Sequence, residues 1–257
     1  MFETITYSIE NRVAWITLNR PNNLNAFTEQ MNKEIQKAIK QAGLDQDVRS
    51  LVITGEGRAF SSGQDLSEVD ENMDHGEVLR NRYGPMMKEL ARFEKPVIAA
   101  VNGVAAGAGF SLALACDFRL VSEKASFVQA FIHVGLIPDS GNLYFLPKLI
   151  GTAKALEIAI LGEKIRPQEA KELGLATKVI SQENWDQEVR EFAERLASMP
   201  TKAVGLIKRS IKASWEMDYD EYLEQEANGQ RIAGLTADHK EGVTSFIEKR
   251  KAVFEGK

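Results

Sequence analysis

The residue best placed to act as a base in this sequence is Asp139, which stands on a turn among apolar residues. The turn reads Ile137-Pro138-Asp139-Ser140-Gly141, and Phe131 and Leu136 lie just before it. If Asp139 lines an apolar pocket, loss of solvent raises the pKa of its carboxyl toward that of a useful general base. The alternative is that its side chain caps a following helix. The residues alone leave both interpretations open.

Two loops rich in small residues could stabilise an anion. Residues 55–66 follow a short apolar strand, and residues 102–109 lead from another such strand into a helix. Small residues let backbone N–H groups approach a ligand, and a helix N-terminus adds partial positive charge. One N–H from each loop could together bind an oxyanion such as the enolate of a thioester. Tight structural packing is the alternative for each loop. The first lacks the Gly-Lys-Ser/Thr ending of a P-loop, and the second lacks the G-x-G-x-x-G spacing of a dinucleotide site.

Other kinds of catalytic site are not indicated by the sequence. His75, His133 and His239 are scattered without a second ligand at metal spacing, so we predict no metal site. No serine stands in a G-x-S-x-G motif. Cys116 is the only cysteine, and its apolar surroundings favour a buried packing role with no internal disulfide.

The composition points away from several classes of partner. The 257 residues carry a formal net charge of −5, which argues against broad binding to nucleic acid or to an anionic membrane. We find no secretory leader pattern and no apolar stretch approaching the roughly 18 residues of a membrane helix. The sequence therefore predicts a cytoplasmic protein without a nucleic-acid or membrane partner.

The elements that must position these residues alternate between strands and helices. Residues 4–9 and 13–18 predict a hairpin, and a helix should run from an N-cap at Thr28 to Gly43. Strands over 50–54, 97–101 and 118–121, with a helix over 109–115, follow. This alternation predicts an α/β fold with a mostly parallel sheet covered by helices.

The C-terminal third is predicted to be helical, as a small domain or, as we favour, an arm that packs on another subunit. One strand, over residues 177–180, is expected to interrupt it. The apolar periodicity places helices over 154–161, 167–173, 183–197, 202–215, 219–233 and 238–253.

Five segments together resemble the crotonase (enoyl-CoA hydratase/isomerase) superfamily, in the order typical of that family. They are Leu18-Asn19-Arg20-Pro21 with Leu24-Asn25-Ala26, residues 59–66, residues 95–103, Ala115-Cys116-Asp117, and residues 246–250. The resemblance implies a ββα spiral over residues 1–195 and a helical trimerisation region over 196–257, assembled as a homotrimer or a dimer of trimers. It also implies an acyl-CoA thioester substrate, with CoA as part of the substrate and no separate cofactor.

The resemblance also assigns roles to residues. The thioester oxygen should lie between the N–H groups of Gln64 and Ala108, with Gly109 beside them. A larger group should contact CoA or the acyl chain, with Phe246 and Lys249 closing over CoA. Its members are Asn22, Asn23, Leu24, Ala59, Ser61, Gly63, Asp65, Leu66, Phe131, Phe246 and Lys249.

Departures from the family pattern select the reaction. Hydratases of the family use two glutamates, and those positions hold Ser111 and Phe131 here. Because neither can replace a carboxylate, the sequence predicts an isomerase with Asp139 as a single proton shuttle. It is most similar to isomerases that move a Δ3 double bond to Δ2 or act on ring-epoxidised phenylacetyl-CoA, but it carries Gly141-Asn142 where those have Gly-Gly. The alternatives are an enoyl-CoA hydratase and a non-catalytic CoA- or RNA-binding homologue.

Overall fold

The computed structural model describes residues 2–70 and 72–257, which form two sheets surrounded by helices. The larger sheet has six strands in the order β1-β2-β3-β5-β7-β10, and the smaller has four in the order β4-β6-β8-β9. The strands are β1 Ile5–Glu10, β2 Val13–Leu18, β3 Ser50–Gly55, β4 Ala59–Ser61, β5 Val97–Val101, β6 Val104–Ala106, β7 Phe118–Ser122, β8 Ser126–Val128, β9 Lys164–Ile165 and β10 Lys178–Ile180.

The helices cover both faces of the larger sheet. They are α1 Glu29–Leu44, α2 His75–Val78, α3 Gly84–Arg92, α4 Ala108–Ala115, α5 Asn142–Ile150, α6 Thr152–Leu161, α7 Pro167–Glu172, α8 Trp185–Ala197, α9 Thr201–Ala213, α10 Tyr219–Gly234 and α11 Ala237–Ile247. A π-helical turn, Leu79–Tyr83, joins α2 to α3. Within the described ranges, no helix is both long and apolar enough to cross a membrane.

The larger sheet matches the sequence pattern. β1 and β2 form the predicted antiparallel hairpin, and β2, β3, β5, β7 and β10 run parallel to one another. Most apolar residues of β2, β3, β5 and β7 are buried because helices cover the sheet. The prediction of a mostly parallel α/β sheet is confirmed.

Helix α1 begins where the sequence predicts. The Thr28 side chain accepts a hydrogen bond from the Met31 N–H at 3.2 Å, so the predicted cap is confirmed. The helix buries residues at helical spacing and ends at Leu44, one residue beyond the predicted stop at Gly43.

The smaller sheet and several helices were not predicted. Strands β4, β6 and β8 each have three residues, too few to show an alternating pattern. The expectation of a single strand after residue 141 is wrong, because β9 precedes β10.

The predicted helix over 238–253 is also wrong in extent. Helix α11 ends at Ile247, and Lys249 takes a left-handed backbone with φ 55°. The chain then runs back as a tail, whose Glu255 and Gly256 N–H groups donate to the Asp238 carboxylate at 2.7 and 2.8 Å. The predicted boundary between 195 and 196 falls in the last turn of α8, and the division into two parts stays a prediction.

Candidate active site

Three loops meet at one edge of the smaller sheet. β4 and β8 each pair in parallel with β6, so the carboxyl ends of all three strands lie together. The loop after β4 carries Gly63 and Gln64, and the turn after β6 carries Gly107 and Ala108. The segment after β8 carries Gln129 and Phe131. The sequence predicted the first two loops as a pair, and the fold brings them together.

Glycine is required where the first two loops touch. Gly63 has φ +93°, and a Cβ placed on it would lie 2.9 Å from Ala106 O and 3.4 Å from Ala108 N. A Cβ on Gly109 would lie 2.5 Å from Ser61 O. The tight packing that offered a structural explanation for the glycines is therefore real, and it also sets the distance between the two loops.

Three backbone N–H groups on these loops have no partner among the described residues. Phe27 pairs with the β4 loop by donating to Gly63 O and accepting from Asp65 N–H, which turns the Gln64 N–H away from that pairing. Ala108 is the first residue of α4, where N–H groups lack partners inside the helix. Among residues 2–70 and 72–257, no acceptor meets the Gln64, Ala108 or Gly109 N–H. The arrangement offers donors to an oxyanion at the positive end of a helix.

A buried asparagine that the sequence reasoning gave no role of its own holds the β4 loop in place. Asn25 is fully buried, accepts from the Arg20 N–H, and donates to Glu56 O and Ala59 O at 2.9 and 2.8 Å. Ser61 Oγ donates to Asn25 O at 2.8 Å. The signal in the sequence was an asparagine inside an otherwise apolar Leu-Asn-Ala segment, since a buried amide must be hydrogen-bonded.

The side chains of two predicted CoA-binding residues, Asp65 and Ser61, form hydrogen bonds to other residues of the protein. The Asp65 carboxylate contacts Arg20 Nη1 at 2.8 Å and accepts hydrogen bonds from Ser67. The Ser67 hydrogen bonds, with the contact to Arg20, hold the pKa of Asp65 below its usual range although burial raises it. The Ser61 hydroxyl is committed to Asn25. A CoA contact from either residue would therefore use its backbone.

The remaining predicted CoA residues divide into two places. Asn22, Asn23 and Leu66 are exposed around the β4 loop, Leu24 is half-buried, and Ala59 and Gly63 are buried in it. Phe246 instead lines an apolar pocket with Pro200 and Phe254, and Lys249 follows the same helix. Arg49 donates to Phe254 O, so this pocket lies near the residue that precedes the amino end of β3. The loops of the site instead follow the carboxyl ends of β4 and β6. One copy of the chain does not bring Phe246 and Lys249 to the loops.

Asp139 stands on a tight turn between a short 3-10 helix, Ala130–Val134, and α5. Ser140 and Gly141 both have positive φ, and Gly141 occupies the capping position of α5 without a side-chain cap. The capping interpretation of Asp139 is therefore wrong. Its Oδ1 is buried, and no described residue donates a hydrogen bond to it. Burial raises the pKa of the Asp139 carboxyl, while the nearby Ser140 hydroxyl and His75 oppose that rise.

Two neighbours of Asp139 were missed by the sequence reasoning. His75 begins α2 on the exposed side, and Tyr83 ends the π-helical turn with its side chain only 3% exposed. Burial raises the pKa of the Tyr83 hydroxyl, and the negative charge of Asp139 raises it further. No sequence pattern announces a π turn, although such turns are frequent at functional sites.

The two positions at which the resemblance to the crotonase superfamily places the glutamates of a hydratase hold no acid. Ser111 is fully buried inside α4, and Phe131 is buried with its ring 3.7 Å from a Cβ placed on Gly107. Burial raises the pKa of the Cys116 thiol to about 12, so it is not a nucleophile at neutral pH. No group of three His, Cys, Asp or Glu residues in the described parts of the chain could hold a metal ion.

The burial of Asp139 predicts the acid limb of a pH profile. A base must be deprotonated to act, and a raised pKa means that protonation removes activity at a higher pH than for an ordinary aspartate near 3.8. We expect kcat/KM to rise with pH with a midpoint clearly above that value, measured in buffers of constant ionic strength. A midpoint at or below about 4 would show that the base is a solvated carboxylate elsewhere.

Comparison with known proteins supplies independent information. The family described as Enoyl-CoA hydratase/isomerase matches residues 8–257. The chain is 40% identical to 1,2-epoxyphenylacetyl-CoA isomerase from Escherichia coli (strain K12), covering all of both chains. It is 38% identical to a probable enoyl-CoA hydratase from Rhodobacter capsulatus, covering 100% of this chain and 99% of that one. The structure of enoyl-CoA hydratase subunit I from Geobacillus kaustophilus HTA426 is similar with a TM-score of 0.94 at 36% identity, over 100% and 99% of the two chains.

Proposed function

Because the chain belongs to the enoyl-CoA hydratase/isomerase family, we propose that it is an acyl-CoA isomerase that moves a Δ3 double bond to Δ2 through an enolate. The chain is an enzyme of this family, and the choice of reaction within it rests on the acids present at the site. The observation that carries the choice is Asp139, a half-buried carboxylate whose Oδ1 is buried without a partner among the described residues, while Ser111 and Phe131 offer no second acid.

The reaction follows from the two parts of the site. The thioester oxygen accepts hydrogen bonds from the Gln64 and Ala108 N–H groups, with the Gly109 N–H beside them. Asp139 takes the proton from C2, and the electron pair of that C–H bond delocalises over the dienolate. Negative charge then builds on the oxygen, where the N–H groups stabilise it more strongly than in the ground state. Asp139 returns the same proton to C4, which leaves the double bond between C2 and C3.

One carboxylate suffices for this shift because nothing is added to the substrate. Hydration instead needs groups that orient and deprotonate water and protonate C2. The hydratase alternative draws support from the name of the Rhodobacter relative, and a ring-epoxide substrate draws support from the name of the Escherichia coli relative. A non-catalytic CoA- or RNA-binding role explains neither the buried, unpaired Oδ1 of Asp139 nor the N–H groups of Gln64, Ala108 and Gly109 that have no acceptor among the described residues.

We extend the proposal to the substrate's nucleotide end and to assembly. CoA lies along Asn22, Asn23 and Leu24 on the exposed side of the β4 loop and serves only as part of the thioester. Since Phe246 and Lys249 lie away from that loop in one copy, they can close over CoA only when another copy supplies them. Exposed apolar side chains on α5, α9 and α10 support a homotrimer or a dimer of trimers. We place the protein in the cytoplasm, in accord with its single buried cysteine.

The test compares two substrates. We expect purified protein to convert 3-enoyl-CoA to 2-enoyl-CoA at least about 100-fold faster than it adds water to 2-enoyl-CoA, because only the second reaction lacks its acids. Absorbance of the conjugated thioester follows migration, and mass spectrometry follows the gain of one water. Efficient hydration would overturn the isomerase, and absence of both reactions with intact CoA binding would favour the non-catalytic alternative.

A further inference from the structure

Three buried polar side chains form a hydrogen-bond chain next to the loop that carries Ala108, and the reaction above assigns them no role. Gln129 follows β8, Asn142 begins α5, and Ser111 lies in α4; all three are fully buried. Gln129 Nε2 donates to Asn142 Oδ1 at 2.6 Å, and Asn142 Nδ2 donates to Ser111 Oγ at 3.2 Å. Three elements around the site are thus joined by one hydrogen-bonded chain.

The hydrogen-bond chain ends at the Gly107–Ala108 peptide, whose N–H is proposed to bind the substrate. Ser111 Oγ donates to Gly107 O at 3.2 Å, and the Ser111 N–H donates to the same oxygen at 3.0 Å. Gly107 O belongs to the peptide unit whose other end is the Ala108 N–H. Hydrogen bonds on the carbonyl side of a peptide therefore act directly on the donor proposed to hold the thioester oxygen.

The direction of the chain is fixed by its chemistry. A hydroxyl has one proton, and Ser111 gives it to Gly107 O, so Ser111 can only accept from Asn142. Asn142 must then turn its Nδ2 toward Ser111 and its Oδ1 toward Gln129. Every donor is consequently directed along the chain toward Gly107 O, and hydrogen bonds aligned in one direction strengthen one another by roughly 10–30% per bond.

Ordinary helix chemistry explains only part of this arrangement. A serine inside a helix often donates to the carbonyl four residues earlier, as Ser111 does to Gly107. Such contacts do not require two buried amides behind the hydroxyl, and burying amides is costly unless they are hydrogen-bonded. Apolar residues could fill the same space, so the amides call for a role that apolar residues would not serve.

We propose that Ser111, Asn142 and Gln129 are positioning residues that strengthen the Ala108 N–H as an oxyanion donor by polarising the Gly107–Ala108 peptide. The inference rests on the proposed function in that a thioester oxygen must accept from this N–H. Because charge on that oxygen grows in the transition state, the effect falls on kcat more than on KM.

The test measures polarisation of a bound thioester directly. Butyryl-CoA labelled with ¹³C at the thioester carbonyl cannot isomerise, and infrared difference spectra report its carbonyl stretch on the protein. We expect Ser111→Ala to lose part of the downward shift seen with wild type and to lower kcat for 3-enoyl-CoA by about 3- to 10-fold, with KM within about two-fold. Ser111→Thr keeps a hydroxyl at the same position and should restore both readouts. Asn142→Leu should show a smaller loss in the same direction, since Ser111 still reaches Gly107 O.

Ser50→Ala is the matched control. Ser50 is also fully buried and its Oγ donates to Ala193 O at 3.0 Å, on the α8 side of the larger sheet. It should cost similar stability while leaving the carbonyl stretch and kcat unchanged. An unshifted stretch in Ser111→Ala, or an equal shift in Ser50→Ala, would overturn the proposal. Wild-type protein that polarises butyryl-CoA yet moves no double bond would overturn the isomerase and not the polarised peptide.

Discussion

Asp139→Asn is expected to lower kcat for the migration of the double bond by about 10³-fold. The substitution keeps the shape of the side chain and removes the carboxylate, which is the only base that takes the C2 proton in the proposed reaction. Positioned general bases contribute about 10²- to 10⁴-fold, and here one group serves both proton transfers. The measurement is the rate of conversion of 3-enoyl-CoA under single-turnover conditions, where substrate binding and product release do not limit it.

The loss should come without loss of the fold. Since burial raises the pKa of Asp139 in the folded protein, its ionised form destabilises the fold at pH values above the pKa of the unfolded chain. Asparagine removes that charge, so Asp139→Asn should unfold at an equal or higher temperature at neutral pH. This advantage should vanish as pH falls below the pKa of the unfolded aspartate.

A matched aspartate separates catalysis from structure. Asp117 lies at the far end of α4, accepts the Val97 N–H at 2.8 Å and contacts Lys208 Nζ at 2.6 Å. Asp117→Asn should lower thermal stability while leaving kcat within about two-fold, because the acid has no path to the substrate. If Asp139→Asn kept more than a tenth of wild-type kcat, another base would have to carry the reaction.

The larger sheet could be predicted because its strands are long enough to show their pattern. β1, β2, β3, β5 and β7 have five or six residues, so their β-branched and apolar runs are long enough to be recognised in the sequence. The α/β crotonase fold inferred from the resemblance is confirmed by the likeness to a solved structure of the family. The strands of the smaller sheet escaped prediction because two or three residues show no alternating pattern, whereas β10, equally short, was recognised as an interruption between predicted helices. The loops of the candidate site follow β4, β6 and β8.

The residues of the candidate site could be proposed from the sequence, whereas their contacts could not. Asp139, Gln64 and Ala108 could be proposed from motifs, since each motif fixes one position in the chain. The hydrogen-bond partners could not, because Ser111, Asn142 and Gln129 are 13 to 31 residues apart along the chain and become neighbours only after folding. Tyr83 and His75 were missed because helix α2 and the π turn, which carry them, show no apolar periodicity.

The end of α11 shows how tertiary contacts override a local pattern. Periodicity continued the helix to residue 253, but Glu241 binds Arg250 at 2.6 Å and also accepts the Val253 N–H. These contacts fold the chain back beyond Lys249, whose positive φ breaks the helix. A helix propensity of a few tenths of a kcal/mol per residue does not outweigh a carboxylate that satisfies two partners at once.

Ala108→Pro should lower kcat by about 10²- to 10³-fold by deleting one oxyanion donor. Removing a single donor of this kind typically costs that much, because the charge it stabilises appears only in the transition state. Ala108 is the first residue of α4, where proline is well tolerated and no intrahelical hydrogen bond is lost. Gly107 before it has no Cβ to clash with the ring, so the backbone can accept the change.

Ala237→Pro is the same substitution at the same helical position of α11, after a Thr236 already in the extended conformation that precedes proline. It should leave kcat within about two-fold, which would show that proline at a helix start is not itself harmful.

For Ala108→Pro, circular dichroism should report a folded protein, and the carbonyl stretch of bound butyryl-CoA should move back toward its value in water. A folded Ala108→Pro variant with unchanged kcat would mean that the thioester oxygen does not accept from this N–H. Polarisation of the Gly107–Ala108 peptide would then have no effect on the substrate. A folded variant with the expected loss of kcat would assign the oxyanion donor to the turn after β6, separate from the turn that carries the acid Asp139.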